Sequence, residues 1–273
     1  MKTRLAALAV GVMTTLGIVA APVRADETTY YVAVGDSLSV GAQPGKGPTN
    51  EGYTDNLYAA LKAKNPDLKL VKLGCGGETT STMLNGGICT YGEGSQMKAA
   101  EAFLNQHKGQ VRYVTLDIGA NDTACLLDGD VACGLKGVGT IITNLPQITA
   151  RLRKAGGDGP VYAAMTYYDP GLASWVSGGT TGQAVAVASV PLVDVFNTWE
   201  QAVYRLGGFK VADVNATFAT HDFATKVTLP TYGEVPLNVA RICTWTYQCS
   251  KNDGHATPEG YRQIADTFLR VVS

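Results

Sequence analysis

The sequence predicts an α/β protein built on a parallel sheet. Segments with strand character and segments with helical periodicity alternate along the chain, the pattern of a sheet layered with helices. The strand-like runs are apolar throughout rather than alternating with polar residues, as strands buried on both faces must be. Residues suited to chemistry follow the ends of the first three strands, where ligands bind in such sheets.

The elements follow in order. "YYVAV" (Tyr30–Val34) reads as a strand, and "TDNLYAALKAKN" (Thr54–Asn65) as an amphipathic helix. "LKLVKLG" (Leu68–Gly74) is a second strand, "GSQMKAAEAFLNQHK" a second helix, and "VRYVTLDIG" (Val111–Gly119) a third strand. A long helix is expected from Gly137 to Ala155, kinked by Pro146. "PVYAAMTYY" (Pro160–Tyr168) is a fourth strand, a helix runs from Gly182 to Leu206, and "FKVADV" (Phe209–Val214) is a fifth strand. The final helix opens with Thr257 as N-cap and Pro258 at its first position. Residues 169–181 and 216–250 lack a clear period and are expected to be loops or short hairpins over the rim.

The first residues read differently. Lys2 and Arg4 precede an apolar stretch from Leu5 to Ala21, and "PVRA" offers small residues at Val23 and Ala25. That is the pattern of a secretory signal peptide cleaved after Ala25, leaving one domain over 26–273. The rival reading, a retained membrane anchor, needs a longer apolar run. The whole chain carries a formal charge of −1. Without Lys2, Arg4 and Arg24 it has 19 basic against 23 acidic residues, a balance of −4. No basic run suits a phosphate backbone, so nucleic acid is not an expected partner. No later segment reads as a membrane span, and a monomer is expected.

Six cysteines in an exported chain point to disulfides. They fall into close couples, and neighbour pairing predicts Cys75–Cys89, Cys125–Cys133 and Cys243–Cys249. A zinc site is the rival, but the chain has no CxxC pair and only three histidines.

Acyl-transfer hydrolysis needs a nucleophile, a base, a group that orients the base, and donors for the oxyanion. Ser37 stands at a strand end after a glycine, where a hydroxyl can be exposed on a rigid support. The plainer reading of "GDS" is a tight turn. His255, just before the last helix, is the candidate base, although a lone histidine is more often a surface or core residue. His107 sits at a helix end, where it serves the helix dipole. His221 has an adjacent acid but lies in irregular chain. Gly77 and Asn121 can supply donors, one by close backbone approach and one by an uncharged amide. Trp175 and Trp245 leave two readings, buried aromatics or a carbohydrate platform.

"GDSLS" at Gly35–Ser39, "GGET" with Gly77, "GAND" at Gly119–Asp122, and His255 followed by Gly260–Tyr261 come in one order across residues 35–261. In these blocks the chain resembles the SGNH hydrolases, also called GDSL esterases and lipases, and its secreted actinobacterial members in its cysteine couples. The resemblance implies a flavodoxin-like three-layer α/β/α fold with a five-stranded parallel sheet. It implies Ser37 as nucleophile, His255 as base, and an oxyanion hole from the N–H groups of Ser37 and Gly77 with the Asn121 side chain. The activity implied is a secreted serine esterase or lipase without metal or cofactor. Its substrate would be a small-molecule, lipid or acylated-carbohydrate ester. Carbohydrate acetylesterase, or a catalytically weak wall- or carbohydrate-binding protein on the same fold, is the alternative. The absence of G-x-S-x-G argues strongly against a hydrolase of the nucleophile-elbow type. One departure stands out: the family's aspartate three residues before the histidine is Asn252 here, and Asp253 is two before. Asp253 is assigned as the orienting group, with Asn252 or a backbone carbonyl near Cys243–Cys249 as alternatives.

Overall fold

A computed structural model of the protein describes residues 28–273. The leader assigned to residues 1–25 lies outside the described residues. Five strands, β1 (Thr29–Gly35), β2 (Leu68–Lys72), β3 (Val111–Asp117), β4 (Val161–Met165) and β5 (Lys210–Ala212), form one sheet in the order β2-β1-β3-β4-β5. Every neighbouring pair is parallel. This is the flavodoxin-like order that the resemblance implied.

Alternate residues of each strand feed two cores. Tyr31 and Ala33 of β1 join Ala163 and Met165 of β4 on one face. That face is covered by α1 (Tyr53–Lys62) and α10 (Pro258–Val272). Val32, Val34, Val114 and Leu116 point to the other face, against α2 (Thr80–Asn85), α3 (Gln96–Gln106) and α4 (Val131–Gly156). A period of two along the strands therefore builds three layers from five short elements. Among the described residues no helix is long and apolar enough to cross a membrane.

Two helices begin earlier than expected. The helix expected from Gly137 begins at Val131, where Asp130 caps it by accepting from Cys133 N–H at 2.9 Å. Its early glycines hid it, and they have a purpose. A Cβ on Gly137 would meet the Asp122 carbonyl at 1.9 Å, so the glycine lets α4 lie directly on the turn that holds Asn121. Pro146 is embedded in this helix, whose buried stripe of Ile141, Leu145, Ile148 and Leu152 continues past it. The neighbouring long helix also starts early, as α6 (Gly179–Leu206).

The two aperiodic stretches are more ordered than their sequence suggested. Residues 169–181 make a 3-10 turn (Pro170–Ala173), a single helical turn α5 (Ser174–Ser177) and the start of α6. Residues 216–250 end the short helix α7 (Val214–Thr217). They then fold as a β6 (Lys226–Leu229) and β7 (Gly233–Pro236) hairpin, followed by α8 (Leu237–Trp245) and α9 (Gln248–Lys251). Both α8 and the hairpin close over a small separate cluster of Val235, Val239 and Ala240, with Trp175 and Val227 packed on it. A helix of nine residues with only a few buried positions carries too weak a period to be read alone.

All three disulfides pair as neighbours: Cys75–Cys89, Cys125–Cys133 and Cys243–Cys249, with Cα separations of 6.1, 6.2 and 4.9 Å.

At the end of β1, Gly35 has φ +148°, and a Cβ there would lie 2.3 Å from both the carbonyl and the Oδ1 of Asp117. Gly35→Ala should therefore destabilise the fold by on the order of 3 kcal/mol. Thermal unfolding should report a Tm lower by roughly 6–12 °C. A fall below ~2 °C would show that β1 and β3 can separate at this point without cost.

Candidate active site

Strand β1 has β2 on one side and β3 on the other, so the chain's crossovers diverge from this point. In an open parallel sheet the crevice beyond the carboxyl ends of such strands receives ligand. Ser37 follows β1 by two residues, Gly77 follows β2 by five, and Asn121 follows β3 by four.

The Ser37 turn is held from below. Asp36 is 1% exposed, and its Oδ1 accepts from Leu38 N–H at 2.9 Å, an Asx turn that aims the intervening residue outwards. Ser39 Oγ donates to the Asp36 carbonyl at 2.7 Å. Ser37 is partly exposed while Asp36, Leu38 and Ser39 are buried. The side chain of Gln96, the first residue of α3, grips Gly35 by both backbone groups. Gly35 N–H donates to its Oε1 at 2.6 Å, and its Nε2 donates to the Gly35 carbonyl at 3.0 Å.

Direct bonds tie the loops of Gly77 and Asn121 to this turn and to one another. Cys75 N–H donates to the Gly35 carbonyl at 3.1 Å, and Gln96 Nε2 also donates to Glu78 Oε2 at 2.9 Å. Asn121 Nδ2 donates to the Glu78 carbonyl at 2.9 Å, which leaves its second amide hydrogen for a ligand. Asp122 accepts from Thr80 N–H at 2.8 Å and Thr80 Oγ1 at 2.6 Å, anchoring the "GAND" turn at the start of α2. Gly77 has φ +80°, with open space where a Cβ would stand. Neither Ser37 nor Gly77 gives its backbone N–H to a protein acceptor among the described residues. Two free N–H groups and one half-free amide on one rim can bind an oxyanion.

His255 arrives from the far end of the chain. Its Nδ1 lies 2.6 Å from Asp253 Oδ1, and its backbone N–H donates to the same oxygen at 2.9 Å. The backbone bond closes an Asx turn at Asp253, which brings the ring of His255 to the same carboxyl oxygen. Asn252 takes a left-handed conformation (φ 50°), and its amide oxygen accepts from Gln248 Nε2 instead. No protein group bonds His255 Nε2 among the described residues.

Two consecutive tyrosines after β4 bring this loop to Ser37. Tyr167 OH donates to Asp36 Oδ2 at 2.9 Å, and Tyr168 OH donates to the Gly254 carbonyl at 2.6 Å. Near the start of α10, Tyr261 OH donates to the Ala42 carbonyl at 2.6 Å. The Cys243–Cys249 bridge spans the turn whose Tyr247 N–H donates to the His255 carbonyl at 2.9 Å.

The other histidines have other partners. His221 Nε2 is held between both oxygens of Asp194 at 2.9 and 3.0 Å, so the nitrogen a base would offer is taken. His107 caps α3, with its ring against Phe103 and Tyr30. Trp175 packs on Phe223 under Lys226, and Trp245 packs edge-on to Phe218 under Arg241, so both serve packing. Beside the His255 loop, Pro170 Cγ lies 3.9 Å from where a Cβ on Gly254 would stand, so the Pro170 turn packs against that loop.

Sequence reasoning missed Gln96, Asp117, Tyr167 and Tyr168. Of these only Asp117 left a signal, a carboxyl at the end of an otherwise apolar strand. Asp117 is fully buried; it receives Tyr53 OH at Oδ1 (2.5 Å) and Asp36 N–H at Oδ2 (3.3 Å). Burial, and then the facing Asp36 carboxyl, hold Asp117 well above the usual carboxylate range. Burial also raises Asp36, while hydrogen bonds from Asp117, Leu38 and Tyr167 oppose that shift. The pair therefore keeps one proton, residing on Asp117, and one charge. Glu200, also buried, is pushed well up by burial beneath the Gly119 turn.

A model of the GDSL-like Lipase/Acylhydrolase family matches residues 33–263. No curated protein matches the chain. Among solved structures, an extracellular lipase of Streptomyces rimosus is 20% identical, with TM-score 0.54 over 89% of this chain and 98% of that one. A lipase/acylhydrolase of Enterococcus faecalis is 15% identical, with TM-score 0.51 over 89% and 94%. Axe2, an acetylxylan esterase of Geobacillus stearothermophilus, is 14% identical, with TM-score 0.55 over 90% and 94%. At these identities the likeness is one of fold.

The buried pair gives a test of its own. The folded chain retains a proton on Asp117 that the unfolded chain releases above about pH 4. Stability is therefore fully present below that pH and declines as pH rises towards the folded-state value. Asp117→Asn cannot titrate and should remove that decline. Measured by urea unfolding, the stability of the wild type should fall relative to that of the variant from pH 4 to pH 8, by up to about 1.4 kcal/mol per pH unit in the window. A difference between the two that does not change with pH would mean that Asp117 retains no proton on folding.

Proposed function

The chain belongs to the GDSL-like lipase/acylhydrolase family, and from that premise we propose that it hydrolyses carboxylic esters through an acyl-enzyme on Ser37. The observation that carries this reading is the 2.6 Å contact between His255 Nδ1 and Asp253 Oδ1, with Nε2 left free. Asp253 fixes the ring so that Nε2 accepts the Ser37 proton and stabilises the imidazolium that forms. Ser37 Oγ attacks the ester carbonyl, and the oxyanion is held by Ser37 N–H, Gly77 N–H and Asn121 Nδ2. The alcohol leaves with the proton from His255. Water, deprotonated by the same nitrogen, then releases the acid and restores Ser37. No metal or organic cofactor enters these steps.

The buried Asp36 carboxylate has a part in the same cycle. Its oxygens hold Leu38 N–H and Tyr167 OH, which keeps the Ser37 turn in place through the reaction. An export role fits the three bridges, since oxidising compartments preserve such bonds. The acyl group would lie against the walls from 169–181 and 216–250. Hydrolysis of p-nitrophenyl esters from acetyl to palmitoyl, with acetylated xylan and a phospholipid alongside, would name the substrate.

Ser37→Ala should fold normally and lose nearly all esterase activity, and a fluorophosphonate should label the wild type at Ser37 alone. Adduct mass on another serine would overturn the assignment. Asn121→Ala should lower kcat by roughly 10²–10³-fold with KM little changed, whereas a change confined to KM would make it a substrate contact. Asp253→Asn should cost on the order of 10⁴-fold in kcat and Asn252→Ala little. Retention of most activity by Asp253→Asn would mean that another group orients His255.

A further inference from the structure

A parallel ladder continues for as long as each residue finds its partners on the next strand. On the β2 side of β1 this holds up to Ala33, whose carbonyl receives Leu73 N–H at 2.8 Å. Two residues on, the ladder is only half complete. Cys75 N–H still reaches the Gly35 carbonyl at 3.1 Å. The Leu73 carbonyl, the regular acceptor for Gly35 N–H, takes Tyr91 OH at 2.7 Å instead. Gly35 N–H goes to Gln96 Oε1 at 2.6 Å, and Gln96 Nε2 returns a bond to the Gly35 carbonyl at 3.0 Å. A primary amide carries the donor and acceptor of a peptide group. A side chain from α3 therefore stands in the ladder where β2 would continue.

This replacement lets the chain leave the sheet after β2 and form the Gly77 loop rather than a longer strand. The same amide reaches into that loop. Its second hydrogen goes to Glu78 Oε2 at 2.9 Å, and the Glu78 carbonyl receives Asn121 Nδ2 at 2.9 Å. Gln96 is fully buried, with its amide oxygen and both amide hydrogens engaged. One side chain thus joins the residue two before Ser37 to the residue after Gly77 and, through Glu78, to Asn121. Helix α3 does not depend on it. Ser95 caps the helix by accepting Lys98 N–H at 3.2 Å, and Met97, Ala99, Ala100 and Leu104 supply its buried face.

We propose that Gln96 is a positioning residue for ester hydrolysis: by holding Gly35 and Glu78 together, it sets the spacing between Ser37 and the donors of Gly77 and Asn121. The inference rests on the reading of these three residues as nucleophile and oxyanion donors. Such donors act only within hydrogen-bond distance of the place where charge develops. A loosened tether should therefore cost transition-state stabilisation and leave substrate binding alone.

Gln96→Met keeps the length of the side chain and removes its three bonds. Its p-nitrophenyl acetate hydrolysis should lose on the order of 10²-fold in kcat with KM within about two-fold of the wild type. Combined with Asn121→Ala, the two losses should fall well short of their product, because the donor that Gln96 places is already gone. Gln96→Glu sets a carboxylate against Glu78 and the Gly35 carbonyl and should lose as much. Adding Glu78→Gln reverses donor and acceptor in that pair and should recover roughly tenfold. Hydrogen exchange read by mass spectrometry should rise in Gln96→Met in the peptides that carry Ser37, Gly77 and Asn121, and not in those of α10, whether or not an ester is turned over. A loss confined to KM, full multiplication with Asn121→Ala, no recovery in the exchanged pair, or unchanged hydrogen exchange would each overturn the positioning role. Esterase activity retained by Ser37→Ala would instead overturn the acyl-enzyme reading, and hydrogen exchange alone would then decide whether Gln96 ties the two loops together.

Discussion

The contact between Asp36 and Asp117 fixes the geometry on which the rest of the site depends. β1 and β3 are neighbours at the point where the crossovers diverge, and these residues stand where the two strands end. Asp36 N–H donates to the Asp117 carbonyl at 3.0 Å and approaches its carboxyl oxygen at 3.3 Å. Two carboxyl groups this close, both buried, cannot both be charged. One retained proton turns a repulsion into a hydrogen-bonded pair. Gly35 is required beside it because any side chain would occupy the place of the Asp117 carboxyl.

From that pair the order spreads outwards through hydroxyls and amides. Tyr53 holds Asp117 and Tyr167 holds Asp36. Gln96 holds Gly35 and Glu78, and Glu78 in turn receives Asn121 through its carbonyl. Each of these groups is buried or half-buried, where an unpaired partner would be costly. A site built this way needs little reorganisation when charge develops on a substrate oxygen. The disulfides act at its margins: Cys75 lies in the Gly77 loop, Cys125 shortly after Asn121, and Cys249 closes the turn that bonds to the His255 backbone.

The two long helices divide between the site and the outer surface. α4 comes against the Asn121 turn through Gly137. α6 places Phe196 and Glu200 beneath Gly119 while its outer face stays apolar. Both reach from the rim to the base of the sheet. The same long α6 therefore packs against the Gly119 turn on one face and is exposed on the other.

The sequence by itself determined the layered α/β class and the five strands, and it singled out Ser37, Gly77, Asn121 and His255 as candidates, because these are local signals. An apolar run, a helical period or a glycine before a hydroxyl is legible within a few residues. Cysteine neighbours were legible for the same reason, since a short loop leaves few partners in reach. Only the tertiary structure separates Asp253 from Asn252, because the left-handed backbone at Asn252 turns its side chain to Gln248 while Asp253 lies 2.6 Å from His255 Nδ1. It alone revealed Gln96, Tyr167 and Tyr168, whose partners lie 61, 131 and 86 residues distant in the chain. It alone gave the true start of α4, where glycines that look like helix breakers are what close contact between backbones demands. Long-range hydrogen bonds leave no periodic trace, and a residue's local preference yields wherever packing decides its place.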